Sequence, residues 1–481
     1  MTADPIASSG GSWIERENPA RPNEIVGRVR ETPPAQVALT VTHAAVVQRE
    51  WSALALSDRA QILRAAIEQV GDIEAIALTM AREMGKPLPE AAGEIRFAIA
   101  LAGDMEKRAA RLLRPEERGE GAGRRLVLRQ PHGVVAAIVP WNAPVILSMT
   151  KVAPALLSGN AVVLKPSPLA PLGVTEFLGA IARGLPSGLL AVVNGGGEIG
   201  DALVSAPEIR KIAFTGGPAV GRAVLRKAAE RFVPCTLELG GNDPLIVMDD
   251  CDLAPERLEA IIWASFLNAG QVCMAAKRIF VHEAILPRFT EAYVETTRSV
   301  FRMGDPVEPG TNLGPMITAS ARDGIDRLAD NAAAAGGIVI PLLPPDAPAF
   351  DTGGYFAMPR IVTGLAPDAT LVAAEQFGPL FPIVGWNDEQ QLLEWLSYGS
   401  CLTASVWSAN TDRAWALASK IHTGLCMVNA HNRSGMSLDL PFGGSGESGF
   451  GREYADEGML EYTLPKGIHQ PAQLGGSHYP G

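Results

Sequence analysis

Three short segments carry residue types that could do chemistry together. In NAGQVCMA, residues 268–275, Cys273 follows a predicted helix, and Gly270 permits a tight backbone path. A thiol there could attack a carbonyl carbon. In LELGGNDP, Glu238 closes an apolar strand ahead of two glycines. A carboxylate partly buried by apolar neighbours has its pKa raised toward neutrality, so it could take a proton from a water or a thiol. In AIVPWNAP, Pro140, Trp141 and Pro144 fix the backbone around Asn142, whose side-chain N–H could meet a developing alkoxide. Each reading has an ordinary competitor. A lone cysteine of a cytosolic protein is usually buried structure, Glu238 could cap a helix or lie in solvent, and Asn142 could be a turn residue. Taken singly, none of the three segments decides.

Positioning such groups requires rigid elements. Over residues 59–112 apolar side chains such as Ile62, Ala66, Val70 and Ile73 recur at helical spacing, which predicts two or three amphipathic helices. RRLVLRQPHGVVAAIVP, NAVVLKP, LLAVVNGGG and IRKIAFTGG follow, apolar runs stopped by Gly or Pro, and read as strands. Helical stretches at 172–183 and 219–231 separate them, so the natural arrangement is a parallel sheet with helices on both faces, as in dinucleotide-binding folds. After Gly240 and Gly241 the alternation resumes: helix at 258–267, strand at 276–281 and helix at 322–335, a second α/β unit. Residues 304–312 and 342–354, rich in Pro, Gly and Asp, read as surface loops, and LEYTLPKGIHQP as a short β-like strip before a polar tail.

The 481 residues suffice for two or three domains, and 47% hydrophobic with 19% charged residues predicts a chain folded throughout. A net charge of −11 without any basic cluster interleaved with aromatics excludes nucleic acid as the expected partner. Cys235, Cys251, Cys273, Cys401 and Cys426 form no CxxC pair and no Cys/His cluster, so neither a disulfide framework nor a metal site is expected. MTADPIASSGGSWIEREN lacks a basic segment leading into an apolar core, and no apolar stretch reaches about 18 residues; a cytoplasmic protein without a membrane partner is expected.

PWNAP, VVLKPS, FTGGPAVG, LELGG, GQVC, EQFGPL and PFGGSGESGFGRE run in order over nearly the whole chain, and together they resemble the aldehyde dehydrogenase superfamily, NAD(P)-dependent and non-acylating. The resemblance implies an α/β fold with a Rossmann-like coenzyme domain (1–116 and 133–240), a second α/β catalytic domain (241–447) and a β-strand oligomerisation arm (117–132 and 460–481). It implies oxidation of an aldehyde to the acid. Cys273 matches the nucleophile that forms a thiohemiacetal and then a thioester, and Glu238 the base for the thiol and for the hydrolytic water. Asn142, with the backbone N–H of Cys273, matches the oxyanion hole.

For the coenzyme, NAD or NADP, Lys165 matches the residue on the adenosine ribose, and Gly216 is expected to open the helix whose N-terminus faces the pyrophosphate. Trp141, Ser167, Gly217 and Gly221 complete the expected coenzyme set, with Glu375 on the nicotinamide ribose and Phe377 beside the ring. Three positions depart from the pattern. Pro168 stands where many NAD-preferring members carry a Glu that pairs with the 2′-hydroxyl, so nothing there repels a 2′-phosphate. Gly217 replaces a Ser, which predicts weaker coenzyme binding, and Gly446 replaces a Lys without identifiable chemistry.

Ala143 and Thr150 replace aromatic side chains of the family's substrate tunnel, which predicts a wider tunnel. Leu147, Leu267, Val272, Met274, Met436 and Phe442 are the other expected linings, an apolar set favouring a bulky aliphatic or aromatic aldehyde. Arg433, in AHNRSGMSLD, reads as a solvated loop residue; pointing inward, it would pair with a substrate carboxylate and imply a semialdehyde. A CoA-acylating enzyme is the nearest alternative, and Glu238 argues against it. Strips 124–130 and 461–468 match the oligomerisation arm, so a homodimer or homotetramer is expected.

Overall fold

Five apolar runs ending at Gly or Pro become one parallel sheet. The computed structural model describes residues 12–119, 123–397 and 400–471. Its first large sheet runs Leu190–Val192, Ala161–Lys165, Val134–Ile138, Ile209–Thr215, Cys235–Glu238, with Gly449–Phe450 added antiparallel at the edge. Every residue of Ala161–Lys165 is buried, as a strand covered on both faces requires. The chain enters at Val134–Ile138, builds outward in one direction, then crosses back to lay Ile209–Thr215 on the other side. Connections therefore diverge between these two neighbours, which opens a crevice beyond their C-terminal ends. Pro140–Asn142 and Thr215–Gly217 stand at that crevice.

The helical periodicity over 59–112 resolves into Leu56–Ile67, Ile73–Met84 and Leu88–Leu112, and the expected helix at 219–231 is Pro218–Ala229. A hairpin, Trp13–Asn18 with Arg21–Arg30, and a helix, Pro34–Ala53, precede them. The second sheet runs Ile338–Pro341, Arg360–Thr363, Leu380–Trp386, Arg278–His282, Pro244–Val247, Thr403–Trp407, Leu425–Val428, parallel except for its first pair. The chain passes from one sheet to the other between Glu238 and Pro244. Thr463–Pro471 pairs antiparallel with the whole of Gly123–Pro131, so the two expected strips form one ladder; the tail beyond residue 471 lies outside the described residues. Among the described residues, no helix is long and apolar enough to cross a membrane.

Candidate active site

Helix Pro255–Phe266 stops at a turn, Leu267–Gly270, in which Asn268 (φ 50°), Ala269 (φ 54°) and Gly270 (φ 74°) are all left-handed. Two non-glycine residues in that region store strain, so the surroundings must hold the turn. Gly270 is required there: a Cβ would stand 2.6 Å from the Gly378 carbonyl oxygen. Buried Gln271 clamps the loop, donating to the Asn268 carbonyl (3.1 Å) and the Pro315 carbonyl (3.3 Å) and accepting from the Ile317 N–H (3.0 Å). Lys277 Nζ holds the Gly270 carbonyl at 2.9 Å. The loop delivers Cys273, partly exposed, to the junction of two cavities; Cys273 and Asn142 line both.

Asn142 donates from Nδ2 to the Gln271 carbonyl (3.1 Å), which fixes its amide and leaves a second amide N–H uncommitted. The Cys273 backbone N–H also has no acceptor among the described residues. Immediately downstream, Glu94 caps helix Pro144–Leu157, accepting from the Val145 and Ile146 N–H groups at 2.8 and 3.2 Å, while its other oxygen pairs with Lys86.

Glu238 ends strand Cys235–Glu238 and is 2% exposed. Its Oε1 accepts from the Gly240 N–H (2.9 Å), and its Oε2 has no hydrogen-bond partner among the described residues. Burial pushes this carboxyl up to about 7, and the charges of Glu453 and Glu375 add to the effect. Behind it Lys151 donates to Glu453 Oε1 (2.6 Å) and to Thr215 Oγ1 (2.9 Å). Burial, then the neighbouring Glu238, raises the Cys273 thiol well above its ordinary value. A thiol in such a place ionises only when a base accepts its proton.

On the crevice side the chamber is bounded by Trp141, Gly216, Gly217, Leu239, Glu375 and Phe377, with Trp141 edge-on to Phe377 at 5.8 Å. A groove of about 500 Å³ lies between helices Gly197–Ser205 and Pro218–Ala229, lined by Lys165, Pro168, Gly196 and Gly197. Burial lowers Lys165 to about 8, against the pull of Glu31, so its ammonium persists at neutral pH. Three expectations need correction. Gly216 does not open the helix: Gly217 is its N-cap and Pro218 its first residue. Gly221 faces Leu239, which a Cβ would meet at 2.3 Å, so it serves helix-on-strand packing and does not line the groove. Ser167 Oγ accepts from the Leu169 N–H (3.2 Å), and the residue does not line the groove. The remaining cation, helix N-terminus and carboxylate fit a dinucleotide.

The opposite cavity brings together Ala143, Leu147, Leu267, Val272, Met274, Met436 and Phe442. Thr150 is absent from it: its hydroxyl donates back to the Leu147 carbonyl (3.0 Å) inside the helix. The cavity measures only about 80 Å³, which does not bear out a wide tunnel, and Lys86, Glu90, Glu94 and Tyr454 join its predominantly apolar lining. Its mouth includes Arg433, exposed as a loop arginine and yet a lining residue. Burial pushes Glu90 up to about 7, with Lys86 and Arg433 opposing.

The pattern of the aldehyde dehydrogenase family matches residues 6–468. The chain is similar to a probable succinate-semialdehyde dehydrogenase [NADP(+)] of Sinorhizobium fredii, 34% identical over 91% of this chain and 89% of that one. It is similar to a 2-hydroxymuconic semialdehyde dehydrogenase of Pseudomonas sp. strain CF600, 34% identical over 96% and 97% of the two chains. Among solved structures, an NAD-dependent aldehyde dehydrogenase from Sinorhizobium meliloti superposes with a TM-score of 0.92 at 30% identity, covering 99% of this chain and 94% of the other.

Proposed function

The chain belongs to the aldehyde dehydrogenase family, and from that premise we propose that it oxidises an aldehyde to the carboxylic acid with NAD⁺ or NADP⁺, through an acyl-enzyme on Cys273 that water hydrolyses. One observation carries the reading: Cys273 and Asn142 stand where two cavities meet, with Glu238 and Glu375 lining the one on the crevice side. The Cys273 thiolate adds to the aldehyde carbon, and the resulting oxyanion meets the free Asn142 amide N–H and the Cys273 N–H. A bound nicotinamide ring supplies the hydride acceptor. Lys165, the N–H groups around Gly217 and Glu375 would hold the coenzyme.

Glu238, poised near neutrality, takes the thiol proton first and a water proton later. Water forms the new C–O bond, the C–S bond breaks, and sulfur leaves as thiolate. Glu238 Oε2, free of protein partners, is the atom offered to that water. A thioester resolved by CoA would not require this base. The free thiols suit a reducing compartment, and the cytoplasm is the proposed location.

The test is to follow nicotinamide absorbance with a panel of aldehydes and either coenzyme. Reduction is expected, lost in Cys273→Ala. No reduction with any aldehyde, or undiminished activity in Cys273→Ala, overturns the proposal.

For the substrate, the narrow tunnel favours a slender chain, and Arg433 supports a second reading, a semialdehyde. It lines the cavity together with Glu90, whose carboxyl its charge favours, and no carboxylate among the described residues lies within salt-bridge distance of it. Comparing kcat/KM for a carboxylate-ended aldehyde and a neutral one of equal length decides this. Arg433→Gln should lower only the former, by roughly tenfold or more; equal losses would exclude the carboxylate contact.

A further inference from the structure

Lys277 is fully buried four residues after Cys273, and nothing in the steps above uses it. Its Nζ donates to the Gly270 carbonyl (2.9 Å) and lies 4.6 Å from the ring centroid of Phe377. Phe377 lines the same chamber as Cys273 and Glu375, so the ammonium sits directly behind that wall. Clamping a carbonyl requires only a neutral N–H, whereas burying a charge costs several kcal/mol unless it is used or paired. No carboxylate lies within ion-pair distance of Lys277 among the described residues. Asp243, a buried carboxylate coupled to Lys277, has both oxygens engaged by Leu402 and Thr403 at 2.6–2.8 Å.

The groups facing the thiol otherwise oppose its ionisation. Glu238, Asp243 and Glu375 all raise it, and Lys277 is the cation that acts against them. Tyr454, also coupled to Cys273, is held neutral by burial. His431, whose Nε2 meets the Met274 carbonyl at 3.1 Å, is lowered to about 4 and carries no charge at neutral pH. Burial lowers the Lys277 ammonium, while Glu375, Asp243 and Cys273 favour its charged form.

We propose that Lys277 is a positioning residue for the reaction: its buried charge stabilises the Cys273 thiolate, while its N–H pins the Gly270 carbonyl and with it the left-handed turn. The inference rests on Cys273 being the nucleophile. Deprotonation sends the thiol proton to Glu238, and Lys277 itself transfers none.

The test uses the full-length protein without coenzyme and reads alkylation of Cys273 by iodoacetamide across pH, quantified on the Cys273 peptide by mass spectrometry. In this reaction the S–C bond forms as iodide leaves, and the rate follows the thiolate fraction. Lys277→Met should move the inflection to higher pH and slow alkylation at neutral pH by about tenfold or more. Lys277→Gln, which can still donate to Gly270, should behave like Met, and Lys277→Arg should recover most of the wild-type rate. A wild-type pH profile in Lys277→Gln would overturn the charge role and leave only a clamp. If Lys277→Met does not fold, the contrast between Gln and Arg gives the same decision. Absence of aldehyde oxidation in the wild type would defeat the proposed function while leaving this alkylation contrast readable.

Discussion

Lys151 Nζ donates to Glu453 Oε1 at 2.6 Å, with both side chains buried, and the pair stands behind Glu238. Its two charges act on Glu238 with opposite signs: Glu453 raises the carboxyl and Lys151 lowers it. Glu453→Gln should therefore shift the acidic limb of the hydrolytic step to lower pH, and Lys151→Met should shift it higher. The measurement is the rate of acyl-enzyme breakdown against pH after a burst of reduced coenzyme. Movement of both limbs in one direction would mean general damage to the site.

Glu238 also couples stability to pH. Its carboxyl is raised from 4.5 to about 7, so between those values the folded chain holds a proton that the unfolded chain has released. A native state that binds more protons loses stability as pH rises. Glu238→Gln removes that loss, so it should stabilise the protein above pH 7 by about 1–3 kcal/mol and do little below pH 4.5. Denaturant midpoints at the two ends of the range check this. A gain at acid pH alone would contradict the assignment.

Gly449 pairs with Glu238 across the edge of the first sheet, at φ 106°. A Cβ there would lie 1.9 Å from the Leu237 carbonyl oxygen, so the strand could approach only as glycine. Gly449→Ala should cost more than about 3 kcal/mol and take Glu238 out of place. Melting and turnover should fall together. A wild-type melting temperature would show that the strand can be displaced freely.

Much of this frame is readable from sequence. Helix Leu172–Arg183 and the strands around Lys165 and Thr215 follow from periodicity and from Gly and Pro stops. The hairpin Trp13–Asn18 with Arg21–Arg30 does not, because charged, half-exposed residues give no apolar alternation. Cys273, Glu238 and Asn142 lie within conspicuous Gly and Pro contexts. Lys151 announces itself only as one charge in an apolar helix, and its partner Glu453 is 302 positions away, a pairing that no local pattern encodes. Thr150 misled for a similar reason: replacing an aromatic suggests room, but a hydroxyl that returns to its own helix leaves the wall to Met274, Met436 and Tyr454.

Pro168 lines the groove beside Lys165, and with the adenosine ribose proposed for that groove, a carboxylate at this position would face a 2′-phosphate. Pro168→Glu should therefore discriminate between the coenzymes, weakening NADP⁺ by about tenfold or more through like-charge repulsion and leaving NAD⁺ much less affected. Dissociation constants for both coenzymes, measured calorimetrically, separate binding from turnover. Equal losses would place the 2′ position elsewhere.

Assembly is testable at the ladder of Thr463–Pro471 on Gly123–Pro131. Among the described residues, Thr463–Pro471 is paired on one side and exposes Leu464 and Ile468, while Leu425–Val428 forms an edge of the second sheet. Each edge presents unpaired N–H and C=O groups that another subunit's strand could satisfy. The proposed state is a homodimer or homotetramer, and light scattering at micromolar concentration should report a multiple of the chain mass. Charging the arm with Leu464→Glu and Ile468→Glu should shift the mass toward the monomer with little loss of melting temperature. The arm strand already lies largely outside the core, so a large loss would mean that it stabilises its own subunit. A monomeric wild type would exclude the assembly.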